Sequence, residues 1–203
     1  MSPLAPLSLA RRLSATPSRD RDVRTLLKRH LAEFHASTPT LILDELGLCE
    51  GDVRVDVAMI NHELSGFEIK SPADSLARWP KQRRVYSKVL DRAWLVATEK
   101  SLDAAKPPGW WGLVRVVETA DQLGIRVLRD AQPNPSPDAL AIAQLLWQAE
   151  ALGVLERRGL ARGIRSKRRA FAWQRIVESL TLDEIRSEVR LALQARPIER
   201  KFW

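Results

Sequence analysis

The chain has 203 residues, of which 45% are hydrophobic and 29% are charged. This composition is that of a folded globular protein, so it excludes wholly disordered and fibrous chains, and the length suits one main domain with a small addition. No apolar run reaches the roughly 18 residues that a membrane span needs, so we expect a soluble protein with no membrane partner. The single cysteine, Cys49, excludes an intrachain disulfide and favours a reducing, cytoplasmic setting.

The net charge of +8 is concentrated at the C-terminal end. Residues 1–155 hold 20 Lys and Arg against 19 Asp and Glu, a net +1, whereas residues 156–203 hold 13 against 6, a net +7. A basic tail of this kind favours a polyanionic partner such as nucleic acid. The alternative is an arginine-rich helix face that only contacts solvent.

The N-terminal part predicts a flexible leader over residues 1–20, whose Ser and Arg content also resembles that of a transit peptide. A helix is predicted over residues 21–37, "RDVRTLLKRHLAEFHAS", and an apolar segment, "TLILDELGL", follows it. The helix prediction depends on apolar side chains and a histidine at helical spacing: Val23, Leu26, Leu27, His30, Leu31 and Phe34.

Two short β-type runs, "DVRVDVAMI" and "LSGFEIKS", are joined by "NHE" and predict a hairpin with Asn61 at the turn. Alternation in the second run places Glu68 and Lys70 together on one face. In the first run it predicts one face made of Val53, Val55, Val57 and Met59 and another made of Arg54, Asp56, Ala58 and Ile60.

The next segment has the signals of a helix start, with Ser71 as cap, Pro72 at the first position and Asp74 in the first turn; Pro80 then begins a second helix that ends near residue 90. "AWLVAT", "GLVRVV" and "GIRVLRDA" predict three more strands, with the nearby tryptophans buried in the core. We therefore expect an α/β fold in which a mixed central sheet is flanked by helices.

The proline-rich segment 132–137, "QPNPSP", predicts a linker between a core domain over 21–131 and a basic helical region over 138–203. Three helices are expected in that region, "DALAIAQLLWQAEALGVLERRG", "SKRRAFAWQRIVESL" and "TLDEIRSEVRLALQAR". The last begins with Thr181 and Glu184 at the spacing of a capping box.

Three acids near the hairpin, Glu45, Asp56 and Glu68, suggest a metal site. Clustered carboxylates repel one another unless a cation or a proton neutralises them, and oxygen ligands suit Mg²⁺ or Mn²⁺. Such an ion polarises a phosphoryl oxygen and lowers the pKa of bound water, and Lys70 would orient that water. The chemistry indicated is phosphodiester hydrolysis.

"RVDVA" and "GFEIKS", with a helix directly behind, resemble the PD-(D/E)XK nuclease superfamily, the restriction-endonuclease-like fold. The resemblance implies that Asp56, Glu68 and the backbone carbonyl of Ile69 bind the metal and that Lys70 assists the attacking water. Glu45 in "DELGL" resembles the acid that the preceding helix often supplies in that superfamily.

"QRRVY" resembles the Gln-x-x-x-Tyr signature of the RecB-like branch, which implies that Gln82 and Tyr86 support the substrate from one helix face. Residues 25–115 look like a group of small bacterial proteins of this superfamily that mostly lack an assigned role. Val55 stands where the superfamily pattern has a proline before the first acid, which is a departure.

The tail bears a likeness to the DNA-binding SAP module, through "LERRGL" followed by "SKRRAFAWQRIVESL", and predicts phosphate contacts by Arg165, Lys167, Arg168 and Arg169. We therefore expect a metal-dependent nuclease, with DNA favoured over RNA. Two alternatives stay open. One is an inactive nucleic-acid-binding or scaffold module on the same fold, and the other is a surface pair of Glu68 and Lys70 beside Arg54.

Overall fold

The computed structural model describes residues 9–12, 20–71, 76–118 and 122–197. A 3₁₀ turn over Leu76–Arg78 precedes the helix that begins at Trp79. The elements in chain order are β1 (Leu9–Arg12), α1 (Asp20–Phe34), β2 (Leu41–Leu48), β3 (Val53–Ile60), β4 (Leu64–Lys70), α2 (Trp79–Val89), β5 (Arg92–Ala97), α3 (Glu99–Ala105), β6 (Gly112–Glu118), β7 (Gln122–Arg129), α4 (Ala139–Ala143), α5 (Gln148–Arg157), α6 (Arg169–Ser179) and α7 (Leu182–Ala195).

The seven strands form one sheet in the order β1-β7-β6-β5-β4-β3-β2. β4 and β6 both run parallel to β5, and the other neighbours are antiparallel. The sheet is therefore mixed, as predicted. Its central strands β4 and β5 are almost entirely buried, since a parallel pair is covered by helices on both faces.

Helix α1 covers one face of the sheet and the remaining helices cover the other. Its buried side chains are Val23, Leu26, Leu27, His30 and Leu31, which confirms the predicted apolar face. On that side Trp94 stacks on Phe67 with the ring centroids 5.8 Å apart. On the opposite side Trp111 stacks on Tyr86 at 5.6 Å. Trp94 and Trp111 are fully buried, as the sequence predicted, whereas Trp110, predicted with them, is only partly buried.

The C-terminal helices pack against the same side of the sheet as α2 and share one hydrophobic cluster with it. The single helix predicted from residue 138 is divided into α4 and α5, and the Asp138 side chain caps α4 by accepting from Leu140 N and Ala141 N. The predicted capping box of α7 is present, since Thr181 N donates to Glu184 Oε2 at 2.8 Å.

Segment 132–137 has no helix or strand, and its Asn134 is buried and donates to the carbonyls of Ser87 and Leu90, each at 2.8 Å. These bonds fix the segment against the end of α2. At the other end of the chain, residues 9–12 of the predicted leader form an edge strand paired with β7.

Helix α2 begins at Trp79 with Pro80 in its first turn, which confirms the predicted second helix. The earlier start signal falls on residues 72–75, which lie outside the described residues. No helix in the part of the chain that the structure describes is long and apolar enough to cross a membrane.

Candidate functional site

The candidate site lies in a fork between β3 and β4. The hairpin pairs the two strands from Ile60↔Leu64 to Val57↔Phe67, with the expected turn at Asn61, and there the ladder ends. Beyond it, Glu68 and Lys70 pair only with β5, so one edge of β4 is open. The Asp56 carboxylate spans this opening, and its Oδ2 accepts a hydrogen bond from Ile69 N at 2.7 Å. The side chain thus replaces the missing main-chain bond and brings Asp56 next to Glu68.

The predicted division of β3 into two faces is wrong at Asp56. Val53 and Val55 pack on the α2 side together with Ala58 and Ile60, whereas Val57 and Met59 pack on the α1 side. The alternation is interrupted where Glu45 of the neighbouring strand takes a left-handed backbone conformation, with φ of 56°. Strict alternation assumes regular β dihedrals, and Glu45 departs from them opposite the point where β3 changes face.

Asp56 is largely buried and is held by Arg24 of α1. Arg24 Nη2 donates to Asp56 Oδ1 at 3.1 Å, and Nη1 donates to the Asp56 carbonyl at 3.2 Å. Burial, followed by the charge of Glu68, raises the pKa of Asp56 from 3.8 to about 7, while the Ile69 N–H and Arg24 act in the opposite direction. A cation placed between the two carboxylates would remove this unfavourable interaction.

Glu68 and Lys70 form a buried cluster with two side chains of α2. Glu68 Oε1 lies 2.6 Å from Lys70 Nζ and accepts from Gln82 Nε2 at 2.5 Å, and Oε2 accepts from the Tyr86 hydroxyl. Glu68 is 2% and Lys70 6% exposed, so the alternative of a surface pair is wrong. Burial and the neighbouring Glu68 raise the pKa of Tyr86 well above its ordinary value, which keeps the phenol protonated as a donor.

Gln82 and Tyr86 share one helix face, as predicted, but that face is turned to Glu68. Tyr86 is fully buried, and Gln82 both donates to Glu68 and accepts from Lys70 Nζ at 3.0 Å. The role implied by the resemblance, support of the substrate, therefore does not match the contact that Tyr86 makes. The two side chains orient the Glu68 carboxylate and the Lys70 amine instead.

Glu45 lies on β2 and not on a helix, which corrects the expectation taken from the resemblance. Its Oε1 accepts from Arg24 Nη1 at 2.8 Å, and Oε2 is 3.8 Å from Arg54 Nε. Arg24 thus joins Glu45 to Asp56. The sequence reasoning missed Arg24, although its position next to Val23 on the rim of the predicted apolar face placed it beside the sheet.

The fork opens into a pocket of about 580 Å³. Its floor is Asp56, Glu68 and Lys70, and its rim includes the exposed side chain of Arg54. The titratable lining residues are five acids, Asp20, Glu45, Asp52, Asp56 and Glu68, and five bases, Arg24, Arg54, Lys70, Arg78 and Lys81. Their formal charges cancel, so one bound divalent cation would give the pocket a net positive charge that suits a phosphate.

The residues present fit a magnesium-type ion. Within the described ranges no three His, Cys, Asp or Glu side chains converge as metal ligands. Mg²⁺, however, is commonly bound by one or two carboxylates with several waters retained, so Asp56, Glu68 and the Ile69 carbonyl could hold it. The charge of Glu68 contributes to the raised pKa of Asp56, so a cation bound by both carboxylates would lower that pKa.

The four basic residues predicted to contact nucleic acid are exposed around the start of α6. Arg165 forms an ion pair with Glu156 at 3.0 Å, and Arg169 forms one with Glu50 while its guanidinium lies 5.0 Å from the Trp173 ring centroid. The Lys167 amine lies 5.8 Å from the centre of the Phe171 ring. Their contact with nucleic acid stays a prediction, and part of their charge is already compensated within the protein.

Comparison with known proteins gives a family but no activity. The family model described as bacteriophage P4 protein cII matches residues 16–203. No curated protein matches the sequence. A solved structure of a protein of unknown function from Silicibacter pomeroyi is 23% identical, with a TM-score of 0.41, over 77% of this chain and 97% of the other. Because the family model covers nearly the whole sequence, this chain belongs to the family of bacteriophage P4 protein cII.

Proposed function

We propose that this protein is a divalent-metal-dependent nuclease of the PD-(D/E)XK type that hydrolyses phosphodiester bonds in nucleic acid, with DNA favoured over RNA. The observation that carries the proposal is the fork between β3 and β4. There a largely buried aspartate, a buried glutamate and a buried lysine meet at the floor of one open pocket. A buried Glu and Lys on one strand are costly to desolvate, so a functional role explains them better than a contribution to stability.

In this proposal Asp56, Glu68 and the Ile69 carbonyl hold Mg²⁺ or Mn²⁺, which when bound supplies Lewis-acid polarisation of the phosphate and an acidified water. Lys70 orients the attacking water and offsets charge that develops on the phosphate. Gln82 and Tyr86 donate hydrogen bonds to the Glu68 carboxylate and so fix its direction. One oxygen of that carboxylate, Oε1, lies only 2.6 Å from Lys70 Nζ.

The outer parts of the pocket would handle the substrate. Glu45 is held by Arg24 and would serve as an outer acid beside the metal site. The exposed guanidinium of Arg54 lies at the rim, where a phosphate would enter. Arg165, Lys167, Arg168 and Arg169 would add non-specific backbone contacts. The lone Cys49 supports a reducing compartment such as the cytoplasm.

The test is incubation of the protein with single- and double-stranded DNA and RNA in Mg²⁺, Mn²⁺ or EDTA. We expect metal-dependent cleavage that is lost in Glu68→Gln and in Lys70→Met, both of which keep the side-chain volume. Glu99→Gln, an exposed acid on α3 paired with Arg115, is the matched control and should keep full activity. Cleavage that survives both pocket substitutions would refute the site, and thermal melting of each variant excludes loss of folding as the cause.

One observation favours a second candidate, a nucleic-acid-binding or scaffold module without turnover. All four oxygens of the Asp56 and Glu68 carboxylates already have a partner within the chain, from Arg24, Ile69 N, Gln82, Lys70 and Tyr86. The two functions are separated by titration with Mn²⁺ followed by electron paramagnetic resonance. If the protein is a nuclease, it should bind Mn²⁺, and Glu68→Gln should weaken that binding. If it is a binding module, it should bind nucleic acid without binding Mn²⁺.

A further inference from the structure

Helix α2 presents a strip of basic side chains to solvent. Its sequence, "WPKQRRVYSKV", contains no acid. Lys81, Arg84 and Lys88 are spaced by three and four residues, so they lie on one side of the helix over about 10 Å of its length. All three are exposed, and we call them the α2 strip.

The cations of the α2 strip are largely uncompensated. Lys81 pairs with Asp52 at 2.5 Å, but among the described residues Arg84 and Lys88 have no ion-pair partner. The C-terminal region carries most of the net charge, and part of that charge is compensated within the protein. Four of its arginines form ion pairs: Arg157 with Glu188, Arg158 with Glu184 and Glu188, Arg165 with Glu156, and Arg169 with Glu50. Arg162, Lys167 and Arg168 of the same region are exposed and have no ion pair among the described residues, so what distinguishes the α2 strip is its position beside the pocket.

The α2 strip is continuous with the candidate site. Lys81 belongs both to the strip and to the lining of the pocket, and Arg78, one turn earlier, also lines it and has no ion pair within the described ranges. The pocket thus opens at the first turn of α2, and the strip leads away from it along the helix.

The side chains of α2 indicate which kind of polyanion the α2 strip can bind: single-stranded nucleic acid, a membrane surface or a nucleic-acid duplex. Single-stranded nucleic acid is usually held by exposed aromatic rings on which bases stack, but both aromatic residues of α2, Trp79 and Tyr86, are buried. Interfacial membrane helices insert exposed apolar side chains. None of the exposed large hydrophobic residues of the described chain, Val117, Leu128, Leu140, Phe171 and Leu191, is on α2.

We propose that the α2 strip docks the sugar–phosphate backbone of a nucleic-acid duplex next to the pocket. The proposal deepens and rests on the nuclease function proposed above. One strand of a duplex presents a phosphate about every 3.4 Å along the axis, so a strip about 10 Å long can face two or three of them. Contacts confined to phosphates position the duplex without reading its sequence.

The experiment measures binding of a fluorescent DNA duplex by anisotropy in EDTA, so that no cleavage is needed, over a series of salt concentrations. In Arg84→Gln/Lys88→Gln, loss of two phosphate contacts should make the slope of log K against log salt less negative by about 1.8 and weaken binding about tenfold or more at 0.1 M salt. Arg29→Gln/Arg126→Gln removes two exposed charges on α1 and β7 and should leave the slope near that of the wild type.

Four outcomes would overturn the proposal. The α2 double variant could bind with the wild-type slope, the control pair could lose as much affinity, or a single strand or an anionic lipid vesicle could bind the wild type as tightly as the duplex. The tail variant Lys167→Gln/Arg168→Gln tests the competing surface, and a larger loss there than in the α2 variant would also refute it. If the wild type cleaves DNA with Mg²⁺ but the α2 variant binds the duplex as the wild type does, this inference alone is refuted. If binding depends on the α2 strip but no cleavage is seen, only the nuclease proposal is refuted.

Discussion

Replacement of Asp56 by asparagine should stabilise the metal-free protein at neutral and alkaline pH. The pKa of Asp56 is raised from 3.8 to about 7, first by burial and then by the charge of Glu68. A carboxyl whose pKa is higher in the folded state favours the folded state only while it is protonated. Its contribution is fully present below pH 4 and is lost as the pH rises toward 7.

The size of the effect follows from the shift. Three pKa units correspond to about 4 kcal/mol at most, and about 2 to 3 kcal/mol of this is lost between pH 5 and pH 8. Asparagine can still accept from Ile69 N, and Arg24 keeps its 2.8 Å contact with Glu45, so the substitution leaves neither group without a partner. The variant should therefore be more stable than the wild type at pH 8, and the difference between the two free energies of unfolding should be smaller at pH 5.

Urea unfolding in EDTA at pH 5, 6, 7 and 8 measures this difference. Asp52→Asn is the matched control, because Asp52 lines the same pocket but is half exposed and paired with Lys81; its free energy of unfolding should change by no more than about 0.5 kcal/mol. Saturating Mg²⁺ should stabilise the wild type and not Asp56→Asn. If Asp56→Asn is the less stable protein at pH 8, then the pair with Arg24 outweighs burial and the reasoning is wrong.

Three further substitutions test contacts that only the structure shows. Arg24→Gln should tighten Mn²⁺ binding, because the guanidinium competes for Asp56 Oδ1 at 3.1 Å; Arg29→Gln on the same helix should not, and equal affinities in both would contradict the competition. Tyr86→Phe should lower the free energy of unfolding by about 1 to 3 kcal/mol, since buried Glu68 loses a donor, and a neutral result by urea unfolding would mean that Glu68 is satisfied without it. Arg196→Met should cost about 3 kcal/mol in the same assay, because it leaves the largely buried Glu150 without its 2.6 Å ion pair; a loss below 1 kcal/mol would count against that pair.

Much of the fold follows from local patterns in the sequence. Helix α1, the hairpin at Asn61, the strands β5 to β7 and the capping box of α7 could be predicted because each depends on periodicity or on residues a few positions apart. The same reasoning placed Glu68 and Lys70 on one face, since that requires only the regular pleat of one strand. The break between α4 and α5 was not predicted, because the apolar pattern continues across it.

The site itself depended on tertiary structure at three points. Strand alternation failed at Asp56, which lies opposite the left-handed residue Glu45 of the adjacent strand, and the identity of a glutamate does not signal that conformation. Arg24 reaches Asp56 across 32 residues of sequence, a contact that no local pattern encodes. Tyr86 proved to be a buried partner of Glu68, because the packing of α2 on the sheet decides which way its signature residues point.

Charge shows the same division between sequence and structure. The sequence determined that residues 156–203 carry most of the net charge. Only the folded chain decided which cations are compensated, because ion pairs such as Arg169 with Glu50 join residues that are 119 positions apart. A count of charges along the chain gives their sum, whereas the field at the surface depends on distances that folding alone sets.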